Sequence, residues 1–150
     1  MEIVETWIGS KSGDHAGAAA ELVKEYVTRS SRFCDTGREC FASEAAFWAW
    51  VDRQSGRGGV NVLLLDPRGE QMGSEAFAKR LGHWRDNGVR RLVAAIGPAD
   101  GWSEASLGRA NFVLSLGKMT LPHQLARAVL AEQIYRALTI LAGHPYHCGH

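Results

Sequence analysis

VNVLLLD, at residues 60–66, is the stretch that decides the fold class of this chain. A nearly continuous apolar run that ends in a carboxylate is typical of a strand buried on both faces, and strands of this kind belong to parallel sheets. RLVAAI at residues 91–96 repeats the apolar pattern and is stopped by Gly97 and Pro98. Stretches with helical spacing lie between and after these runs. We therefore predict an α/β domain with a mostly parallel sheet flanked by helices.

The segments on either side complete an alternating series of strands and helices. Short apolar runs predict further strands over residues 3–8 and 112–116. Ser43 and Ser74 are predicted N-caps, because a serine side chain accepts hydrogen bonds from the unpaired N–H groups of a first helical turn. The polar segment 30–39 is ambiguous, while residues 11–17 are predicted as a loop and residues 55–59 as a break. The predicted helices cover residues 18–29, 43–53, 74–88, 103–110 and 123–141.

Length and composition indicate one ordinary globular domain. The chain has 150 residues, of which 45% are hydrophobic and 22% charged. No apolar run approaches the roughly 18–20 residues that span a bilayer, and the N-terminus opens on acidic residues instead of the basic ones of a signal peptide. We therefore expect a cytoplasmic protein without a membrane segment. Three cysteines without CxxC spacing predict neither a disulfide framework nor a metal site.

Charge is distributed unevenly along a chain whose formal net charge is only +1. Residues 1–50 hold five Lys or Arg against eight Asp or Glu, whereas residues 51–150 hold twelve against eight. The C-terminal two thirds therefore suits a polyanionic partner, and a homodimer would double that basic patch.

Three predicted strand ends carry the residues that suit a ligand site. They are the segments 65–70, 96–101 and 116–123, each of which contains glycine. In open α/β sheets, ligands bind outside the carboxyl ends of the strands. No segment fits the P-loop or the GxGxxG fingerprint, and no serine nucleophile elbow is present, which disfavours a nucleotide-binding domain, a dehydrogenase and a serine hydrolase. The pattern alone predicts a small ligand held by loops and does not name it.

Several segments in this region carry a resemblance to a known family. They are LDxxG at 65–69, SExFA at 74–78, IG at 96–97 with Gly101, LSL at 114–116, MTLPHQL at 119–125, Arg127, EQIYRA at 132–137 and PYH at 145–147. Over residues 60–150 the chain resembles the bacterial 23S rRNA pseudouridine N3-methyltransferases, compact members of the SPOUT class. The first 55 residues match only loosely. The resemblance implies a single SPOUT domain over residues 1–150, a C-terminal trefoil knot within about 60–150, and a homodimer.

The resemblance also implies a cofactor, S-adenosylmethionine (SAM), and the residues that hold it. The expected reaction is methylation of N3 of a pseudouridine in 23S rRNA on the assembled ribosome. His147 and His123 are candidates for the base that removes the N3 proton, and Tyr146 is a candidate to stack on the substrate base. Arg127 and Arg136 are candidates to hold RNA phosphate. The expected cofactor contacts are Leu65, Gly97, Leu116, Gly117, Lys118, Met119, Thr120 and Leu121.

Structural roles compete with these functional ones. His123 follows a proline and could simply cap or pack the last helix, and Arg136 has Glu132 four residues earlier as an ion-pair partner. Two departures from the family pattern also stand out. Pro98 replaces a second glycine, and the residues after His147 lack the expected Lys or Arg. The alternatives to the expected enzyme are a SPOUT methyltransferase for another RNA and a SAM- or RNA-binding module without catalysis.

Overall fold

The computed structural model describes residues 1–10, 17–56 and 58–148. The strands are β1 (Glu2–Ile8), β2 (Thr36–Phe41), β3 (Val60–Glu70), β4 (Arg91–Ile96) and β5 (Phe112–Leu114). The helices are α1 (Ala18–Ser30), α2 (Glu44–Ser55), α3 (Ser74–Asp86), α4 (Glu104–Arg109) and α5 (His123–Leu141), and a 3-10 turn covers Pro145–His147. No helix in these ranges is long and apolar enough to cross a membrane.

The sheet has the strand order β2-β1-β4-β3-β5, and each strand pairing is parallel. Parallel neighbours require crossover connections, which the helices between the strands provide. The predicted α/β class with a parallel sheet flanked by helices is confirmed. Because β3, β4 and β5 end on the same edge of the sheet, the three glycine-bearing loops meet there.

The apolar run of β3 is buried on both faces, as predicted. Leu63 and Leu64 point to opposite sides of the sheet, and both are 0% exposed. Leu63 packs in a cluster with residues of α3 and α5, such as Leu81 and Leu130. Leu64 packs in a second cluster with Phe47 of α2. The sheet therefore lies between two hydrophobic layers.

The structure differs from the sequence expectations at several boundaries. The ambiguous segment 30–39 contains the beginning of β2, a partly exposed edge strand. Ser43 caps α2 as predicted, with its side chain accepting from the Ala46 N–H at 3.1 Å. Ser74 does not cap α3: Gly73 is the cap residue, and the Ser74 hydroxyl donates to Gln133 at 2.7 Å. Most of the predicted loop and one residue of the predicted break, residues 11–16 and 57, lie outside the described residues.

The end of β3 runs very close to β5. β3 continues past Pro67 to Glu70, and its register with β5 shifts between Leu65 and Glu70. A Cβ on Gly69 would lie 2.6 Å from the carbonyl of Val113, so only glycine fits this approach of two backbones. This close approach of two backbones is compatible with the trefoil knot that the resemblance implies. The knot itself stays a prediction.

Candidate active site

A cavity of about 730 Å³ lies at the carboxyl ends of β3, β4 and β5. Its volume is in the range of sites for small molecules and cofactors. Three chain segments form its wall, together with the beginning of α5. The lining residues are Leu65, Asp66, Pro67, Arg68, Ile96, Gly97, Pro98, Ala99, Asp100, Gly101, Trp102, Leu116, Gly117, Met119, Thr120, Leu121, Pro122, His123 and Ala126.

Most of the residues expected to hold a cofactor line this one cavity. They are Leu65, Gly97, Leu116, Gly117, Met119, Thr120 and Leu121. Lys118 is the exception, because it is not part of the lining. Met119 lines the cavity, yet 85% of the residue is exposed. Ser115 shapes this loop: its hydroxyl accepts from the Gly117 N–H at 3.2 Å.

Gly97 faces an aromatic ring as well as the cavity. A Cβ at this position would lie 2.8 Å from Nε1 of Trp102, and 2.9 and 3.0 Å from the two ring carbons beside it. Trp102 is only 2% exposed, so it cannot swing away into solvent. The glycine is therefore required by the packing of the indole, a reason that the sequence did not reveal.

Asp66 and Arg68 form a clamp on the loop that carries Trp102. Arg68 donates to both oxygens of the Asp66 carboxylate, through Nε at 2.8 Å and Nη2 at 3.0 Å. The same Nη2 donates to the Trp102 carbonyl at 2.6 Å, while the Trp102 N–H donates to Asp66 Oδ2 at 3.3 Å. Hydrogen bonds from Arg68 hold the pKa of Asp66 below its usual range, although burial alone would raise it.

Glu104 extends this clamp at its solvent side. Its carboxylate accepts from Nη1 of Arg68 at 2.7 Å. Asp66 and Glu104 carry two negative charges against the one positive charge of Arg68, so the group as a whole is anionic. Sequence reasoning noticed the segment 65–70 as a strand end but assigned no role to Asp66 or Arg68.

Pro98 changes the loop after β4. Its carbonyl accepts from the Gly101 N–H at 2.9 Å and closes a turn. Gly101 has a φ of +87°, a conformation that favours glycine. Since proline has no N–H, position 98 offers a ligand no backbone donor.

His123 joins the beginning of α5 to the loop after β4. Its Nε2 lies 3.2 Å from the Gly97 carbonyl, which can only accept, so Nε2 carries the proton. Burial lowers the pKa of His123 and Arg127 adds to this effect, whereas the hydrogen bond to Gly97 opposes it. The ring is therefore neutral at neutral pH and has its lone pair on Nδ1.

The tail residues Tyr146 and His147 pack on α5, away from the cavity of the same chain. Arg136 donates to Nδ1 of His147 at 3.1 Å and to the Glu132 carboxylate at 2.6 Å. The Tyr146 hydroxyl donates to Glu132 at 3.0 Å, and it lies 3.4 Å from the Tyr26 hydroxyl. Burial and these two contacts raise the pKa of Tyr146, which keeps the phenol neutral. The ion pair between Arg136 and Glu132 foreseen from their spacing is present.

Arg127 corrects the sequence interpretation. We expected it to hold RNA phosphate, but the residue is 0% exposed and its guanidinium lies 3.7 Å from the centre of the Trp7 ring. Its position on α5 explains the burial, because Leu130 and Ile134 follow it at helical spacing on the same inner face. A fully buried guanidinium is not placed to contact RNA.

Among the described residues, no group of three or more His, Cys, Asp or Glu is placed to hold a metal ion.

Known proteins resemble this chain in sequence, one of them over its whole length. A family described as "Predicted SPOUT methyltransferase" matches residues 1–147. A relative from Koribacter versatilis (strain Ellin345), named "Ribosomal RNA large subunit methyltransferase H", is 49% identical over 150 residues, which is 100% of both chains. A relative of the same name from Brucella anthropi is 58% identical over 89 residues, 59% of this chain and 56% of its own length.

Solved structures resemble the fold at low sequence identity. A probable methylase family protein from Haemophilus influenzae has a TM-score of 0.58 at 10% identity, covering 95% of this chain and 66% of its own. The SpoU methyltransferase AviRb from Streptomyces viridochromogenes, solved in complex with the cofactor AdoMet, has a TM-score of 0.52 at 10% identity, covering 95% and 61%. These two likenesses support the fold, and the sequence relatives support membership. The chain belongs to the SPOUT methyltransferase family, together with the ribosomal RNA large subunit methyltransferases H.

Proposed function

We propose that this protein transfers a methyl group from SAM to N3 of a pseudouridine in 23S rRNA, acting on the assembled ribosome in the cytoplasm. One observation carries the proposal: the segments that match the family's cofactor positions converge on a single cavity at three adjacent strand ends. The full-length relative at 49% identity, with its name as a large-subunit rRNA methyltransferase, supports the RNA class.

The cavity residues suit SAM. When bound, SAM supplies an electrophilic methyl group on sulfur, so that the bond from N3 to the methyl carbon forms as the carbon–sulfur bond breaks. Leu65, Leu116 and Leu121 offer an apolar wall for an adenine ring, and Gly117 allows the backbone to come close. The contribution of these residues is to hold nitrogen, methyl carbon and sulfur in line, and such positioning supplies a large part of an acceleration.

Removal of the N3 proton needs a base close to the substrate. His123 lines the cavity and is neutral, with its lone pair on Nδ1, so it is a candidate in the same chain. His147 is a candidate in the tail. Its Nδ1 accepts from Arg136, which leaves the proton on Nε2, so His147 must release Arg136 before Nδ1 accepts a proton.

A second copy of the chain would bring the tail to the cavity. Within one chain, Tyr146 and His147 are not part of the cavity lining. We propose a homodimer in which the tail of one protomer reaches the cavity of the other, with Tyr146 against the substrate base. Two exposed apolar residues, Met119 of the cavity lining at 85% and Leu125 near the beginning of α5 at 43%, support an interface there. Contact of Arg136 with RNA stays a prediction, since its guanidinium already serves Glu132 and His147.

Methyl transfer to ribosomes tests the reaction. Ribosomes from a strain that lacks the modification are incubated with the protein and SAM labelled in the methyl group, and the labelled nucleotide is mapped. Label on N3 of the pseudouridine is the expected result. Label on another nucleotide would mean that the protein methylates a different RNA position. No label despite SAM binding would mean that the protein is a binding module without catalytic activity.

Mixed dimers test the shared site. Gly97→Val is designed to impair the cofactor cavity and His147→Ala to impair the tail, so we expect each homodimer to be inactive. A co-purified mixed dimer retains one intact cavity next to one intact tail, and we expect it to recover activity. A monomer by light scattering, or a mixed dimer without recovered activity, would contradict the homodimer proposal.

A further inference from the structure

Lys118 is an exposed cation at the rim of the cavity. Its two neighbours in the chain, Gly117 and Met119, both line the cavity, whereas Lys118 does not. The residue is exposed, and none of the described residues forms a hydrogen bond or an ion pair with its ammonium group. The backbone of Lys118 therefore belongs to the rim of the cavity, while its side chain lies in solvent beside it.

The backbone directly before Lys118 is held in place by Ser115. The Ser115 hydroxyl accepts from the Gly117 N–H at 3.2 Å and donates to the Gly117 carbonyl at 3.1 Å. Ser115 is only 4% exposed, so water has little access to compete for these bonds. The fold thus sets the position of Lys118 at the rim, and its flexible four-carbon stem lets the ammonium group adjust to a partner.

The other two segments of the cavity wall carry negative charge. Asp66 at the end of β3 and Asp100 after β4 line the cavity, and Glu104 begins α4. One guanidinium, that of Arg68, is shared between Asp66 and Glu104. Three carboxylates against one cation leave this side of the cavity anionic, and it would repel a phosphate group.

The segment that carries Lys118 contains no acidic residue. Residues 115–131 include Lys118, His123 and Arg127, and they include no Asp or Glu. Arg127 is 0% exposed, and burial lowers the pKa of His123, so that its ring is neutral at neutral pH. Lys118 therefore supplies the exposed charge of this segment. The mouth of the cavity has a positive side at the loop between β5 and α5 and a negative side at the other two segments.

We propose that Lys118 binds a backbone phosphate of the RNA substrate close to the target nucleotide, so that the RNA approaches the cavity over the loop between β5 and α5. This inference rests on the proposed function, because it takes RNA to be the substrate. Attraction by Lys118 and repulsion by the anionic side favour the same direction of approach. Phosphate contacts fix the register and orientation of a nucleic acid without reading its sequence, so Lys118 orients the RNA and does not select the base.

The proposed homodimer is compatible with this role. A charge that is buried without a partner is costly, and lysine is depleted from the cores of protein interfaces. The exposed apolar residues Met119 and Leu125 suit the contact between two protomers. Lys118 suits the solvent-facing edge of that contact, where the RNA arrives.

Steady-state kinetics of a variant without the charge test the contact. The assay is methyl transfer from labelled SAM to ribosomes that lack the modification. We expect Lys118→Gln to raise the KM for ribosomes about 3- to 10-fold and to leave kcat unchanged. The affinity for S-adenosylhomocysteine, the product that remains after methyl transfer, should also stay unchanged in titration calorimetry. An unchanged KM would overturn the inference, and weaker binding of S-adenosylhomocysteine together with it would make Lys118 a cofactor contact instead.

Arg53→Gln is the matched control for the loss of one positive charge. Arg53 is exposed in the last turn of α2, and its neighbour Gln54 accepts from Arg91 at the beginning of β4. The cavity lies at the other end of β4, so we expect Arg53→Gln to keep the KM of the wild type. An equal rise of the KM in Arg53→Gln and Lys118→Gln would overturn the inference, because the effect would then follow from net charge alone.

The dependence of the KM on salt gives an independent readout. Each phosphate contact releases counterions, so that the logarithm of the affinity falls by about 0.7–0.9 for each unit in the logarithm of the salt concentration. We expect the slope for Lys118→Gln to be smaller than that of the wild type by about this amount. Arg53→Gln should keep the slope of the wild type. Equal slopes for Lys118→Gln and the wild type would overturn the inference.

Rescue by arginine separates the charge from other properties of the side chain. Lys118→Arg keeps the positive charge at an exposed position, so its KM should be close to that of the wild type. A KM as high as that of Lys118→Gln would overturn the inference. Failure of the wild type to methylate ribosomes would overturn the proposed function, whereas an active wild type with an unchanged KM in Lys118→Gln would overturn this inference alone.

Discussion

At Gly97 a single methyl group would collide with Trp102. The ideal Cβ lies 2.8 Å from a ring nitrogen that is fully shielded, so Gly97→Ala has to displace the indole. Overpacking a core typically costs about 1–3 kcal/mol, and we expect the free energy of unfolding to fall by that amount. Binding of S-adenosylhomocysteine should weaken as well, because Trp102 is part of the cavity wall. Urea denaturation and titration calorimetry measure the two effects.

Gly108 provides the matched control for this substitution. It lies in α4, and a Cβ there would meet nothing within 4 Å. Gly108→Ala should therefore keep the cofactor affinity of the wild type, and stability should not fall, because alanine favours a helix more than glycine does. If Gly97→Ala bound S-adenosylhomocysteine as tightly as the wild type, the cofactor would have to lie away from this loop.

We expect His123 to make the free energy of unfolding depend on pH. Burial lowers its pKa in the folded chain, so the unfolded chain takes up a proton first as the pH falls below about 6.5. The unfolded state then binds more protons, and stability falls with falling pH. We expect the free energy of unfolding to decrease between about pH 7.5 and pH 5.5. His123→Gln should remove part of that decrease, as measured by urea denaturation at both pH values.

His83 on the exposed side of α3 serves as the comparison for His123. His83→Gln makes the same substitution at an exposed position, and the effect of His123→Gln is compared with it. An unchanged pH dependence in His123→Gln would show that the proton uptake of His123 does not differ between the folded and unfolded chain.

Among the elements, α2 and α4 are joined by one carboxylate. Glu44 accepts from the Ser103 N–H at 3.0 Å, from the Ser103 hydroxyl at 2.6 Å, and from the Ser106 hydroxyl. Burial would raise the pKa of Glu44, but these hydrogen bonds outweigh it and hold the pKa below its usual value. The stabilisation is therefore present above the unfolded pKa of about 4.3 and is lost as the pH falls below it.

Glu44→Gln should lower the melting temperature at pH 7 by a few degrees, because a chain of this size loses about 2–4 °C per kcal/mol. The difference from the wild type should narrow as the pH falls below about 4.3, because the unfolded chain is protonated there first and the folded carboxylate follows only at its own lower pKa. Thermal melts at pH 7 and at a pH below about 4 measure this difference in melting temperature. Glu21→Gln, at an exposed position in the first turn of α1, should have a smaller effect at pH 7, because it loses only the interaction of the carboxylate with the helix N-terminus. Equal melting temperatures of Glu44→Gln and wild type at pH 7 would contradict this role.

The elements differ in how far the sequence predicts them. β3 and β4 are predicted because burial on both faces demands continuous apolar runs. β2 is not predicted, because an edge strand with partly exposed residues does not need a continuous apolar run. The continuation of β3 through Pro67 follows from the register shift with β5, which is a tertiary feature. Ser74 has the composition of an N-cap, but its hydroxyl is engaged by Gln133 instead.

In the whole molecule, the tail and the candidate cofactor cavity are separate parts of each chain. Deletion of residues 146–150 should therefore leave the affinity for S-adenosylhomocysteine unchanged and abolish methyl transfer to ribosomes. Calorimetry and the incorporation of labelled methyl groups measure the two effects. A point variant, Tyr146→Phe, removes the hydroxyl that binds Glu132 and serves as a milder test. Full activity of the truncated protein would refute a role of the tail in the reaction.

The candidate site was only partly predictable. The rule that ligands bind at the carboxyl ends of parallel strands located the three loops. Seven of the eight cofactor contacts that the family resemblance implied line the cavity. Arg127 was misjudged because an arginine was taken as an RNA ligand, although its spacing from Leu130 and Ile134 placed it on the inner face of α5. Trp102 and the Asp66–Arg68 clamp were missed, since their contacts join residues 34 and 36 positions apart that no local pattern relates.

The strand order sets the moment during translation at which this protein acquires its site. β1 lies between β2 and β4, so the centre of the sheet has to wait for the synthesis of residues 91–96. Of the residues that the structure describes, those that line the cavity all lie between Leu65 and Ala126. Domains generally fold as units, with the N-terminal part available first, yet here the early pair of β1 and β2 builds none of the cavity. A nascent or prematurely ended chain therefore lacks part of this cavity, which only a nearly complete chain can form.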